Sequence, residues 1–67
     1  MRLLVSLDSR SSIPLYALIE RLNRDGIPVA GGAMTGDAEA VILFDKPENT
    51  DRAITWLTSV GIHAQRG

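Results

Sequence analysis

Twice in 67 residues, an apolar stripe at helical spacing runs into a Gly-Ile pair. Leu15, Leu18, Ile19 and Leu22 precede Gly26-Ile27, and Ala53, Ile54, Leu57 and Val60 precede Gly61-Ile62. Residues at i, i+3, i+4 and i+7 share one face of a helix, so each stripe needs a surface to lie on. A glycine just past a stripe supplies the left-handed residue that commonly ends a helix. The pattern therefore predicts two one-sided helices, Pro14 to Asp25 and Asp51 to Val60, each feeding a strand.

The strands that receive them are legible by alternation. In Arg2 to Leu7, residues Leu3, Val5 and Leu7 fall on one face, and Arg2, Leu4 and Ser6 on the other. Ile27 to Met34 reads as an edge strand, because Pro28 has no N–H to give a central ladder. Thr35-Gly36-Asp37 has turn chemistry and predicts a hairpin. Ala38 to Asp45 is apolar on both faces, as a central strand would be, and Ile62 to Gln65 is a short last strand. Pro14 suits a first helical turn, with Ser11 or Ser12 as cap, and Asn49 or Thr50 is the expected cap of the second helix.

The order β-α-β-β-α-β predicts an α+β, ferredoxin-like sandwich: a four-stranded antiparallel sheet with both helices on one face. The first and third strands would be central, and residues 1–67 would form one domain. Leu15, Leu18, Ile19, Leu22, Ala53, Leu57 and Val60 are expected to meet Leu3, Val5, Leu7, Ile42 and Phe44.

Composition narrows the function classes. The chain has no cysteine, which excludes disulfides, thiolate metal sites and thiol nucleophiles. A domain this small without staples often gains stability by oligomerising. Seven Lys+Arg against eight Asp+Glu are scattered along the chain, with none of the concentrated basic surface that nucleic-acid binding favours. The longest apolar run, Ala40 to Phe44, is far short of a membrane span, and the apolar start at Leu3 to Val5 is too short for a secretory signal. A cytoplasmic protein with no cofactor, no nucleic-acid partner and no membrane partner is expected.

Two stretches resemble the ACT domain family, which is ferredoxin-like in fold. Leu15-(x)2-Leu18-Ile19-(x)2-Leu22-(x)3-Gly26-Ile27 is similar to the family's first helix entering its second strand. Ala53-Ile54-(x)2-Leu57-(x)3-Gly61-Ile62 is similar to its second helix entering the last strand. The resemblance implies a regulatory module that holds an amino acid or similar small effector where two subunits meet. The family's first loop has an acidic residue followed by Pro-Gly; here Asp8 is followed by Ser9-Arg10-Ser11-Ser12.

Read for chemistry, that loop is the candidate ligand site. Asp8 offers a carboxylate to an ammonium group, and Arg10 a guanidinium to a carboxylate. Ser9 and Ser12 add polar groups beside a helix N-terminus. The competing reading is a solvated turn and cap. Gly31 and Gly32 either let a ligand or a second backbone approach closely, or mark a bulge in an edge strand. His63, the sole histidine, has no activated serine or metal partner in the sequence, so no catalytic or metal residue is assigned and no enzyme is expected.

Leu4, Val41 and Leu43 form the candidate interface, because alternation puts them on the face that no helix covers. Tyr16, off the first stripe, is a further candidate anchor, whereas Trp56 reads as packing. The expected function is a non-enzymatic, ACT-like binding module, acting as a homodimer or through a protein partner. The alternative is a stand-alone interaction protein without a small ligand.

Overall fold

The computed structural model describes residues 1–7 and 13–67. Strands β1 (Arg2–Ser6), β2 (Gly31–Met34), β3 (Glu39–Leu43) and β4 (His63–Arg66) form one antiparallel sheet in the order β2-β3-β1-β4. Helices α1 (Leu15–Arg24) and α2 (Pro47–Ser59) complete the β-α-β-β-α-β order. The first and third strands are central and the second and fourth lie at the edges, as the element order predicted. Helix α1 packs on the β2 side and α2 on the β4 side.

The two Gly-Ile pairs do the same job twice. Gly26 and Gly61 both have φ of 83°. Ile27 N–H donates to Leu22 O at 2.9 Å and Ile62 N–H to Leu57 O at 2.9 Å; Gly26 N–H and Gly61 N–H bond Asn23 O and Thr58 O. Each pair of bonds is the 6→1 and 5→2 closure that satisfies the last carbonyls of a helix. Leu22, Ile27, Leu57 and Ile62 are all buried, so each closure also seals one end of the core.

That closure corrects one expected core residue. Val60 is the C-cap of α2 and is 51% exposed, because the reversal at Gly61 turns Ile62 inward and leaves the cap residue outside. Leu18, Leu22, Ala53 and Leu57 are buried against Leu3, Val5, Leu7, Ile42 and Phe44, while Leu15 and Ile19 are half-buried at the margin.

The other differences lie at element ends. Strand β2 starts at Gly31, not Ile27: Pro28 has no donor, Val29 N–H is taken by Asn23 Oδ1, and the ladder begins where Ala30 N–H reaches Leu43 O. Helix α1 is entered from Pro14 as the cap residue, without a side-chain cap. Helix α2 begins one turn early at Pro47, whose fixed φ suits a first position. Asn49 and Thr50 are therefore not caps but buried residues of the first turn, and the Thr50 hydroxyl has no hydrogen-bond partner among the described residues. The expected caps Ser11 and Ser12 lie outside the described residues. The hairpin closes as predicted, Thr35 N–H and Gly36 N–H both donating to Glu39 O.

Candidate interaction surface

Strand register fixes which side chains share the face away from the helices. Leu4 pairs with Val41 across the two central strands, Val41 with Ala33 on β2, and Leu4 with Gln65 on β4. One row toward the start of β1, Arg2 pairs with Leu43 and Leu43 with Gly31. One row the other way, Ser6 pairs with Glu39 and with His63. Side chains directly opposite on one face are neighbours, so Leu4, Val41 and Leu43 form a single patch.

The burial alternates cleanly along the two central strands. Leu3, Val5, Ala40 and Ile42 are at most 2% exposed beneath the helices. Leu4 is 38% and Leu43 42% exposed, with Val41 half-buried between them. This separation follows from the two-residue period of a strand and from both helices lying on one side. The predicted interface residues of the sheet are thus brought together. Tyr16, 74% exposed on α1, is on the helix layer and does not join them.

Charge on the patch is confined to its ends. Arg2 sits in one outer row and Glu39 in the other, and neither enters an ion pair among the described residues. Arg66, which pairs in register with Leu3, instead lies on the helix side and bridges to Asp51 of α2. Both partners of that bridge are more than half exposed, so it holds the end of β4 to α2 only weakly.

Of the predicted ligand residues, Asp8, Ser9, Arg10 and Ser12 lie outside the described residues. Beside the end of β1 that leads into them is an open recess of about 390 Å³, lined by Ser6, Leu7, Ala38, Glu39, Gly61 and His63. Gly31 and Gly32 lie elsewhere, toward the Arg2 end and the middle of the sheet. Their register with Leu43 and Ile42 is continuous, so β2 has no bulge there. What approaches closely is helix α1: a Cβ on Gly32 would sit 3.0 Å from Ile19 Cδ1 and 3.1 Å from Val41 O. Gly32 lets the helix down onto the edge strand.

A second feature escaped sequence reading. Asp25, Ile27, Arg52 and Trp56 line a shallow groove of about 520 Å³ between the end of α1 and the outer side of α2. Trp56 is half-buried against the core, as its marginal place on the stripe predicted, and its Nε1–H donates to the Asp25 carboxylate. The groove joins residues 31 apart in the chain, and no periodicity links them. Among the described residues, no three His, Asp or Glu side chains converge as a metal site, and no helix is long and apolar enough to cross a membrane. No family model matches the sequence, and no curated protein or solved structure matches the chain.

Proposed function

We propose that this chain is a non-enzymatic binding module that works by association through the open face of its sheet. The supporting observation is the Leu4–Val41 pair at the centre of that face, extended by Leu43 and bounded by Arg2 at one end and Glu39 at the other. A contiguous apolar patch on a domain of this size usually marks an interaction site. Full burial of one such side chain contributes about 1.5–3 kcal/mol. Since each is already part-covered, association adds about 1 kcal/mol per residue here, against which the cost of lost freedom must be set. Further contacts around the patch are therefore required for a stable complex.

The effector-binding half of an ACT-like reading belongs to Asp8, Ser9, Arg10 and Ser12, which lie outside the described residues. The sheet face carries the present reading by itself, whether or not a small ligand is also held.

Small-angle scattering on the wild type and on a Val41→Glu, Leu43→Lys variant tests it, with circular dichroism confirming that the variant is folded. Any association of the wild type, with itself or with another protein, is expected to be lost in the folded variant. A variant that keeps every association of the wild type would overturn the proposal.

A further inference from the structure

Building on the reading that the open sheet face is a docking surface, we propose that its partner is a second copy of this chain. The two copies would sit face to face about a two-fold axis that runs across the strands. The arrangement of charge on the face supports this occupant. Arg2 and Glu39 occupy the two outer rows of the central strands, on β1 and β3, with the Leu4–Val41 row between them. Four residues of strand separate those rows, about 13 Å at the usual rise. The two charges of one copy are therefore too far apart to pair with each other, and neither has an ion-pair partner among the described residues.

A two-fold axis lying in the interface and passing over the Leu4–Val41 row exchanges the two outer rows. Leu4 and Val41 then face their own counterparts, as residues near the axis of a self-complementary interface must. Arg2 of each copy comes to the end of the partner sheet that holds Glu39, and Glu39 to the end that holds Arg2. Both charges gain an opposite charge across the interface, twice per dimer, at the rim of an apolar centre. A two-fold axis running along the strands would instead keep each row at its own end and bring Arg2 to Arg2 and Glu39 to Glu39. A small cysteine-free fold gains stability by covering a partly exposed apolar face in this way.

The geometry gives a test that a foreign partner cannot imitate. In the Arg2→Glu variant both charges are negative, and in the Glu39→Arg variant both are positive. Each alone should dimerise at least about tenfold more weakly than the wild type, because like charges now meet twice. Mixed one to one, the two variants should form a heterodimer in which every charge again meets its opposite. The double variant Arg2→Glu, Glu39→Arg should dimerise by itself. Sedimentation velocity gives the dimer affinities and native mass spectrometry identifies the heterodimer by its mass, with circular dichroism checking each fold.

A wild type that stays monomeric at all concentrations overturns the second-copy inference while leaving the face open to another protein. A wild-type dimer that survives Val41→Glu, which sets two like charges against each other at the axis, overturns both. A dimer that this variant breaks, but that the single charge reversals leave intact or their mixture fails to restore, overturns the two-fold arrangement alone.

Discussion

The two faces of this sheet come from the same four strands, yet they differ in what their residues do. On the covered face, Leu3, Val5 and Ile42 lie beneath two helices whose last turns are sealed by Gly26-Ile27 and Gly61-Ile62. On the open face, Leu4, Val41 and Leu43 carry similar side chains that stay partly exposed, with no helix of the described residues over them. The lesson is that hydrophobicity alone does not assign a residue to stability. Its place in the two-residue period decides whether its burial holds the monomer together or awaits a second surface.

The largest expected contrast comes from truncating one leucine on the covered side. Leu57→Ala removes a fully buried side chain of the core, leaving the backbone closure to Ile62 in place, and should cost about 2–5 kcal/mol. A chain of this length holds about 3–10 kcal/mol in total, so urea denaturation should show a steeply lowered midpoint or an unfolded protein. A loss under about 1 kcal/mol would mean that the covered face is not the core.

A smaller effect is expected where α1 meets the edge strand. Gly32→Ala should overpack against Ile19 and Val41 O at about 1–3 kcal/mol. The lost flexibility of the unfolded chain offsets about 0.5–1 kcal/mol of this. The net loss should be about 1 kcal/mol by thermal unfolding, and Ile19→Ala in the same chain should reduce it. Additive effects of the two changes would show that the close approach does not matter.

Least change in monomer stability is expected on the open face. Leu43→Ala should alter the unfolding free energy of a dilute sample by under about 1 kcal/mol, while scattering at high concentration shows weakened association. If instead it destabilises the dilute monomer as much as Leu57→Ala, the distinction between the faces collapses.

Much of this was legible in the residues. The element order, the central places of β1 and β3, the two helical stripes and the open-face patch all follow from periods of 3.6 and 2 and from glycine placement. Val60 was misplaced because a stripe gives a direction around the helix but not where the closure turns the chain. Ile27 to Ala30 was read as strand because local propensity cannot see that Asn23 Oδ1 takes the Val29 N–H. The early start of α2 at Pro47 was missed because Asn49 and Thr50 look like caps until burial is known.

The sequence by itself determined which residues alternate, where the helices end, and that no thiol chemistry is available. These are local properties, set by backbone geometry and side-chain type within a few residues. Only the tertiary structure decided that Gly32 is a seat for Ile19, that Trp56 bonds Asp25, and that Arg2 and Glu39 lie at opposite ends of one apolar row. Those facts depend on strand register and helix docking, which bring together residues tens of positions apart, and no period in the chain encodes a distance between them.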